Sequence, residues 1–276
     1  MSDPRQLLNA RQLRPKKSFG QNFLVVARYV DAIADACVAG DPDPLVVELG
    51  AGTGVLTAAL LSRGAKVVAV ERDRDLIPLL EAEFSEALGT GRLTLLEADA
   101  KQIDLAEIVQ AHGRSRCVLA GNLPYQLTGP LLERATQNRA LVSNVVFLVQ
   151  KEVAERLAAS PRSKEYGALT VFVQAQFAVR LVVQVPRSAF YPAPDVDSAV
   201  VSFRPREPPF TEETPAFQRA VRAAFAQRRK TLRNAWAKVA DPATVSAAAS
   251  SAGISLDQRG EELGPDVFAA FARALP

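Results

Sequence analysis

A glycine-rich segment is the first part of the chain whose residue types could do chemistry. Residues 45–56 indicate a short strand, a turn containing Gly50, Gly52 and Gly54, and the start of a helix. Glycines in such a turn let the backbone bend sharply and approach a ligand closely. Val55 stands where a dinucleotide fingerprint needs glycine or alanine, and no Lys-Ser/Thr pair of a P-loop follows. The segment predicts a ligand loop of another type, with a tight packing turn as the alternative.

Acidic residues stand at the ends of the next two strand-like segments. Glu71 ends the first of them, and Asp99 follows residues 93–97. Because the carboxyl ends of parallel strands meet at one edge of a sheet, where such sheets bind ligands, both acids are expected beside the glycine turn. Glu71 could accept hydrogen bonds from both ribose hydroxyls. The alternative is a helix-capping acid, a role that Asp73 could fill instead.

A polar turn follows the fourth strand-like segment and falls at the same edge. It reads Asn122-Leu-Pro-Tyr125. Asn and Pro are common in ordinary turns, which is the alternative interpretation. The position of this turn beside the glycine loop favours a role in the site.

Alternating strands and helices must position these residues. Apolar, β-branched runs that predict strands occupy residues 45–49, 66–70, 93–97, 117–120 and 144–149. Between them, apolar residues recur at helical spacing, as in Leu76, Leu79, Leu80 and Phe84. Runs that are continuously apolar indicate burial on both faces. The pattern therefore predicts an α/β fold with a mostly parallel sheet.

The later part of the chain predicts an antiparallel edge for this sheet. Residues 151–159 and 166–177 have helical patterns, whereas residues 179–185 and 199–203 have strand patterns. The connection between the two strands, residues 186–198, is too short for a helical crossover. The strands are therefore expected to pair antiparallel.

Prolines mark a boundary before a helical C-terminal part. Residues 204–215 contain four prolines, and Thr214 with Pro215 forms an N-cap and first-turn pair. Helical spacing follows, without a strand pattern. We therefore predict a sheet domain over residues 1–208 and a small helical domain over residues 209–276.

The composition is that of a globular protein with unevenly distributed charge. The 276 residues are 48% apolar, and no apolar run approaches the ~18 residues of a membrane span. The net charge is +3, but residues 1–20 carry +4 and residues 204–238 carry +6, which leaves −7 elsewhere. Two basic segments around an acidic middle indicate a polyanionic partner, with solvated helix faces as the alternative.

Cysteine and histidine usage excludes several kinds of site. Cys37 and Cys117 lack the spacing of metal ligands. They could form one disulfide at most, which is too few to stabilise a chain of this length. His112 is the only histidine and has nothing to pair with in a His-based catalytic scheme. The first residues lack the apolar segment of a secretory signal. These features predict a cytoplasmic protein without a metal.

Together, the glycine loop, the two acids and the Asn122 turn resemble an S-adenosylmethionine-dependent amino-methyltransferase. More narrowly, the chain resembles the ribosomal RNA adenine N6,N6-dimethyltransferase family. Three further motifs carry this resemblance: Phe19-Gly-Gln-Asn-Phe-Leu24, Phe190-Tyr-Pro-Ala-Pro-Asp-Val-Asp-Ser-Ala-Val200 and Phe225-Ala-Gln-Arg-Arg-Lys-Thr-Leu-Arg-Asn234. The family more often has Pro at the position of Ala51. It usually has Lys at the position of Asp195, so the resemblance does not support the phosphate contact expected at this position.

The resemblance implies a Rossmann-like methyltransferase sheet, with an antiparallel edge hairpin, and a small C-terminal all-α domain. It implies S-adenosyl-L-methionine as the cofactor. The cofactor-binding residues that it implies are Asn22, Leu24, Gly50, Gly52, Glu71, Asp99 and Asn122. Asn22 and Leu24 would belong to a lid over the cofactor.

The reaction implied is methyl transfer to the N6 amino group of adenine. The Asn122 side-chain oxygen and the Leu123 carbonyl could accept hydrogen bonds from that amino group, and Pro124 would fix the direction of the carbonyl. Tyr125 and Phe190 could stack on the two faces of a base taken out of its stack. Core packing is the alternative for Phe190.

The expected substrate is a hairpin with two adjacent adenines in small-subunit (16S) rRNA, within a pre-30S particle. The basic segments would grip its phosphates. The residues concerned are Arg14, Lys16, Lys17, Arg222, Arg228, Arg229, Lys230 and Arg233. A solvated face is the alternative for residues 228–230. The protein is expected to act as a monomer, without a membrane or DNA partner.

Three other functions remain open at this point. One is a 23S rRNA adenine methyltransferase of the macrolide-resistance type, although the 196–200 and 228–233 segments favour the small-subunit branch. Another is an RNA-binding ribosome assembly factor in which catalysis is secondary. The third, a DNA adenine methyltransferase, is disfavoured because its turn usually has a second proline where Leu123 stands.

Overall fold

The computed structural model describes residues 3–227 and 229–276, which divide into two compact units. The sheet unit comprises the chain up to Ala154 together with Arg180–Arg204. The helical unit comprises Glu155–Val179 together with Pro205–Pro276. In the part of the chain that the structure describes, no helix is long and apolar enough to cross a membrane.

Two sheets contain the strands of the described residues. The strands are β1 (Phe23–Leu24), β2 (Leu45–Leu49), β3 (Lys66–Glu71), β4 (Leu93–Glu97), β5 (Cys117–Asn122), β6 (Val142–Gln150), β7 (Phe177–Val185), β8 (Phe190–Tyr191) and β9 (Ser198–Pro205). The main sheet has the order β4-β3-β2-β5-β6-β9-β7, and β1 pairs antiparallel with β8 in a separate ribbon. The predicted α/β fold with a mostly parallel sheet is confirmed.

The centre of the main sheet creates a crevice. β2 pairs in parallel with β3 on one side and with β5 on the other. All five residues of β2 are buried, as its continuous apolar run predicts. Because the chain turns from β2 towards β3 on one side and later to β5 on the other, the carboxyl ends of β2 and β5 leave room for a ligand.

The opposite edge of the sheet is antiparallel, as predicted. β9 lies between β6 and β7 and runs antiparallel to β6, with Val201 opposite Phe147. Both strands predicted near this edge are present and are neighbours in the sheet. Both strands are longer than predicted: β7 already begins at Phe177, and β9 continues to Pro205.

Helices cover the sheet and build the helical unit. The α-helices are α1 (Pro4–Ala10), α2 (Ala27–Val38), α3 (Val55–Ser62), α4 (Ile77–Glu83), α5 (Ser85–Gly89), α6 (Leu105–Ala111), α7 (Thr128–Gln137), α8 (Lys151–Leu157), α9 (Ala168–Gln176), α10 (Pro215–Ala226), α11 (Leu232–Ala235), α12 (Pro242–Ser251) and α13 (Pro265–Arg273). α2 packs through Tyr29, Val30, Ile33, Ala34 and Cys37, which recur on one helical face.

The helical unit has its own aromatic core. Trp236 is fully buried and stacks on Phe271, with ring centroids 3.7 Å apart. Its indole N–H donates to the carbonyl oxygen of Ala220 at 2.9 Å. The predicted cap is also present, because the Phe217 N–H donates to Thr214 Oγ1 at the start of α10. Thr214 thus begins the first C-terminal helix, as its sequence context predicts.

The helical unit begins earlier in the chain than the predicted domain boundary. Val171 and Ala175 of α9 belong to the same apolar cluster as Trp236. The hydroxyl of Tyr166 donates to the carbonyl oxygen of Leu263 at 2.7 Å. The compact units therefore differ from the predicted domains, 1–208 and 209–276, in the segment Glu155–Val179 and in residues 205–208, which all belong to the helical unit. As a division of function, the predicted boundary stays a prediction.

Candidate active site

A cavity in the sheet unit opens at the carboxyl ends of β2, β3 and β5. The residues predicted to hold a cofactor all line it: Asn22, Leu24, Gly50, Gly52, Glu71, Asp99 and Asn122. Leu123, Pro124 and Tyr125 of the polar turn line it as well. Residues predicted from separate motifs thus meet in one place.

Two glycines of the loop have different structural roles. Gly52 has φ +60°, and a side chain there would meet the Phe23 ring at 3.1 Å. Its N–H donates to Glu71 Oε2 at 2.7 Å. Gly54 has φ +80°, and a Cβ there would lie 2.4 Å from Phe84. Gly52 therefore shapes the cavity, whereas Gly54 permits close packing of α3 against Phe84.

Glu71 is held rigidly by backbone donors. In addition to Gly52, the N–H groups of Arg72 and Asp73 donate to its Oε1 at 2.8 and 2.7 Å. The side chain is only 7% exposed, and this burial raises its pKa, against the lowering effect of the three N–H donors. The carboxylate is fixed in direction, and the three donors use three of its roughly four acceptor positions, which leaves one on Oε2 for a ligand hydroxyl.

Asp99 is held more loosely. It forms ion pairs with Arg72 at 3.4 Å and with Lys101 at 3.8 Å. Its Oδ1 also accepts a hydrogen bond from the Lys101 N–H at 3.0 Å. Ion pairs as long as these are weak, so the carboxylate can still accept a hydrogen bond from the amino group of a ligand.

The amide of Asn122 is oriented by the N-terminal part of the chain. Its Nδ2 donates to the carbonyl oxygen of Asn22 at 2.8 Å. Because the amide nitrogen is used in this bond, Oδ1 is the atom that can accept a hydrogen bond from a ligand. Leu123 is buried and Pro124 half-buried, so the turn that follows Asn122 is fixed by packing.

Tyr125 is anchored through its hydroxyl. This group shares a hydrogen bond of 2.7 Å with Ser198 Oγ at the start of β9. Burial raises the pKa of Tyr125, and the bond to Ser198 partly opposes this. The ring is therefore held at the cavity wall by a residue that the sequence did not single out. Ser198 belongs to the 190–200 motif, which was the available signal.

Phe190 lies in the hydrophobic core. It is 5% exposed, pairs with Leu24 across the β1–β8 ribbon and belongs to the core cluster of the sheet unit. Among the described residues that line the cavity, it does not occur. The arrangement corresponds to core packing, the alternative weighed for this residue, and its stacking role stays a prediction. Tyr191 and Asp195 in the same loop are exposed.

The basic residues near the N-terminus differ in their surroundings. Arg14 is exposed. Lys16 Nζ instead pairs with Asp73 at 2.5 Å and with Asp75 at 2.7 Å, so its charge is already compensated within the protein. The side chain of Lys17 lies outside the described residues. The phosphate contact predicted for Lys16 would have to compete with these carboxylates.

The basic residues of the helical unit are solvent-exposed. Arg222, Arg229 and Lys230 have no ion-pair partner among residues 3–227 and 229–276. Arg233 pairs with Asp257 at 3.2 Å, and both side chains are exposed. Arg228 lies outside the described residues. The exposed cations are available to an anionic ligand.

Glu48 is a buried acid at the cavity that the sequence reasoning missed. Thr57 Oγ1 donates to its Oε2 at 2.5 Å. Complete burial raises its pKa to about 8, so it is mostly protonated at neutral pH. The signal that could have indicated it is a lone acid within the apolar run of β2.

Side chains of the types that bind metal ions do not cluster in the described part of the chain. It contains no group of three or more His, Cys, Asp or Glu side chains that could hold a metal ion. His112 contacts Ile108 and Thr94, with ring nitrogens 2.8 and 3.2 Å from their oxygen atoms.

The sheet order, the glycine loop and the acids at the strand ends define a Rossmann-like methyltransferase fold. A sequence profile of the family described as ribosomal RNA adenine dimethylase matches residues 12–273. The chain therefore belongs to the ribosomal RNA adenine dimethylase family.

Individual relatives support this assignment. The ribosomal RNA small subunit methyltransferase A of Anaeromyxobacter dehalogenans (strain 2CP-C) is 48% identical over 284 residues, which cover 99% of this chain and 97% of the relative. A dimethyladenosine transferase from Plasmodium falciparum has a similar structure, with a TM-score of 0.73 and 25% identity over 90% of this chain and 95% of that one. A 23S rRNA methyltransferase, ErmE, shares the fold with a TM-score of 0.70 and 24% identity, covering 92% of this chain and 99% of that one.

Proposed function

We propose that this protein transfers methyl groups from S-adenosyl-L-methionine to the N6 amino groups of two adjacent adenines in a hairpin of small-subunit (16S) rRNA. The observation that supports this most is the meeting of the oriented Asn122 amide with Gly52, Glu71 and Asp99 in one cavity. The family membership and the name of the 48% identical relative agree with it.

The residues of the cavity fit this cofactor. Gly50 has φ +80° and open space on the side where a Cβ would be, so the backbone can approach a ligand there. The fixed carboxylate of Glu71 suits a ribose hydroxyl, and Asp99 suits an adenine amino group. Acidic side chains around the cavity favour a ligand that is positively charged at sulfur. When bound, this cofactor supplies an electrophilic methyl group.

Asn122 and Leu123 would prepare the target amine. The N6 lone pair of adenine is delocalised into the ring, so the amine is a poor nucleophile. Acceptors at Asn122 Oδ1 and the Leu123 carbonyl favour a tetrahedral nitrogen that points its lone pair at the methyl group. As the N–C bond forms and the C–S bond breaks, N6 becomes cationic. Its proton is then acidic and leaves through these acceptors to solvent.

Tyr125 would stabilise the base outside its helical stack. A stacked aromatic ring offsets part of the cost of unstacking, by about 1–3 kcal/mol per base. The hydrogen bond to Ser198 keeps the ring in place, so little conformational entropy is lost on binding.

The exposed cations of the helical unit would bind rRNA phosphates. Arg222, Arg229 and Lys230 are the candidates with the least competition from carboxylates. Affinity from such contacts falls steeply with salt concentration. We also propose that the protein works as a monomer in the cytoplasm on a pre-30S particle, and that the predicted division at residue 208 separates cofactor binding from RNA binding.

The decisive experiment is methyl transfer from radiolabelled S-adenosyl-L-methionine to small subunits that lack the modification. We expect two methyl groups on each of two adjacent adenines, located by primer extension. Naked 16S rRNA and large subunits are the matched substrates for comparison. Label in large subunits would favour the 23S alternative, whose known representative shares this fold. No label in any substrate, with cofactor bound, would contradict the proposal.

A further inference from the structure

Asp73 connects the N-terminal arm, defined as residues 14–24, to the cavity. Its carboxylate is 3% exposed and contacts two side chains of the arm. Oδ1 lies 2.5 Å from Lys16 Nζ, and Oδ2 accepts a hydrogen bond from Gln21 Nε2 at 2.8 Å. Gln21 Oε1 in turn accepts from the Lys16 N–H at 2.8 Å. The four groups form a closed network between segments more than fifty residues apart.

The same residue touches the acid expected to bind ribose. The main-chain N–H of Asp73 donates to Glu71 Oε1 at 2.7 Å. Its side chain also accepts from the Asp75 N–H, which fixes the loop after β3. Asp73 therefore contacts Glu71 through its backbone and the arm through its carboxylate. Movement of the arm and the geometry of the loop are tied together at this point.

The other end of the arm reaches the reactive turn. The Asn22 carbonyl accepts the hydrogen bond that orients the Asn122 amide. A side chain at Gly20 would meet Pro124 at 3.3 Å, so the arm passes close to the turn there. Phe19 lies between, with cationic groups of Lys16 and Arg72 at 5.4 and 5.5 Å from its ring centroid. The arm thus spans the cavity from Asp73 to Asn122.

We propose that Asp73 is a positioning residue that holds the N-terminal arm closed through Lys16 and Gln21, and thereby orients the Asn122 amide towards the target amine. Reaction rates depend steeply on such orientation: a displacement of about 1 Å can cost about 100-fold. The role of Asp73 in the reaction rests on the proposed function. Its role in closing the arm does not depend on it.

A competing role for Lys16 makes a different prediction. If Lys16 only bound rRNA phosphate, its pairing with Asp73 would oppose RNA binding. Removing the Asp73 charge would then free the lysine and leave or improve RNA affinity. If the network holds the arm, removing either partner weakens methyl transfer in the same way. The two possibilities therefore differ in the methyl-transfer rate expected when the Asp73 charge is removed. The rate falls if the network holds the arm, and it does not fall if Lys16 only binds phosphate.

The test compares Asp73→Asn, Lys16→Met and the double variant. Single-turnover methyl transfer is measured with cofactor and small subunits saturating, and subunit affinity is measured separately. We expect each single variant to slow transfer about tenfold or more, as for loss of a charge-assisted hydrogen bond. The double variant should be no slower than the singles, because all three open the same network. Subunit affinity should change less than about twofold.

Two controls accompany these variants. Lys16→Arg keeps the charge and should restore most of the rate. Asp75→Asn removes the other partner of Lys16, which is 56% exposed and so is expected to matter little. A wild-type rate for Asp73→Asn would overturn the proposal. So would an additive double variant, or lower subunit affinity for Lys16→Met alone.

Hydrogen exchange separates this proposal from the proposed function. Backbone amides of residues 18–24 should exchange faster in Asp73→Asn and Lys16→Met, with unchanged exchange in the helical unit. If Asp73→Asn does not fold, Lys16→Met alone is used for the test. The Lys16 side chain is 36% exposed, so its replacement should not prevent folding. Faster exchange in protein that methylates no RNA would retain the arm contact and reject the function. Unchanged exchange would reject the arm contact.

Discussion

The cavity of the sheet unit and the basic surface of the helical unit differ in how far the fold holds their side chains. Glu71 accepts three backbone hydrogen bonds, and Asn122 is fixed by the Asn22 carbonyl. Arg222 and Lys230, by contrast, are exposed cations without such partners in the described chain. The side chains of the cavity are positioned by the fold itself, whereas the cations of the basic surface have no protein partner in the described chain that would position them.

This difference predicts two kinds of mutational effect. Changes in the cavity should alter chemical steps or cofactor affinity strongly, because a preorganised group is lost and its partners are left unpaired. Changes at the basic surface should each have small effects that depend on salt, because each cation contributes independently. The following variants test that division.

The largest effect is expected for Asn122→Ala. Loss of the oriented Oδ1 should lower the single-turnover methyl-transfer rate by about 100- to 1,000-fold, as for removal of one preorganised polar group from a reaction centre. The matched control is Asn138→Ala, since this asparagine caps the end of α7 away from the cavity. A near-normal rate for Asn122→Ala would contradict the proposal that methyl transfer takes place in this cavity.

The next effect concerns Glu71→Gln. Replacing the carboxylate leaves one of its backbone N–H donors facing an amide nitrogen. We expect cofactor affinity, measured by calorimetry, to fall about 10- to 100-fold. Glu97→Gln at the end of β4 is the control, because its exposed carboxylate pairs with Arg74. Equal losses in both variants would contradict the division between prepared and exposed groups.

Glu48 should make stability depend on pH. Burial raises its pKa from 4.5 to about 8, so the folded state holds a proton that the unfolded state releases. The contribution of this group is complete below pH 4.5 and is lost as the pH rises towards 8. Between pH 5 and 7, cofactor-free protein should lose on the order of 2 kcal/mol of unfolding free energy through Glu48. Denaturant titrations of Glu48→Gln should show a flatter dependence.

The smallest single effects are expected at the basic surface. Arg222→Ala, Arg229→Ala and Lys230→Ala should each reduce the slope of log affinity against log salt by about 0.7–0.9, with a transfer rate that is unchanged at saturating RNA. Lys66→Ala is the control, because Lys66 starts β3 at the end opposite Glu71. A large loss of rate in a single surface variant would show that the surface also positions the target.

The sequence predicted features that depend on local patterns. The strands at 45–49 and 93–97 have the predicted bounds. Burial explains the apolar run only for 45–49, which lies inside the sheet and is buried along its whole length, whereas 93–97 is an edge strand. The residues of the glycine loop and the polar turn converge because strand ends meet at one edge. Both depend on spacing within short segments.

The remaining features depend on contacts between distant segments. The pairing of Lys16 with Asp73 and of Tyr125 with Ser198 joins residues whose sequence contexts contain no sign of each other. Phe190 has a sequence context typical of a binding loop, yet the β1–β8 ribbon places it in the core. Burial of a loop residue is decided by which strand pairs beside it, and a short motif does not encode that.

The helical unit is built from two stretches of chain that are separated by strands of the sheet unit. Its core needs α9 from the first stretch and Trp236 with Phe268 from the second. During synthesis, α9 therefore leaves the ribosome before most of its apolar partners exist, and the unit can close only when the last helix has been made. A fragment limited to residues 209–276 would lack Tyr166, Val171 and Ala175 from its interior. An exchange of this unit between relatives would have to transplant both stretches.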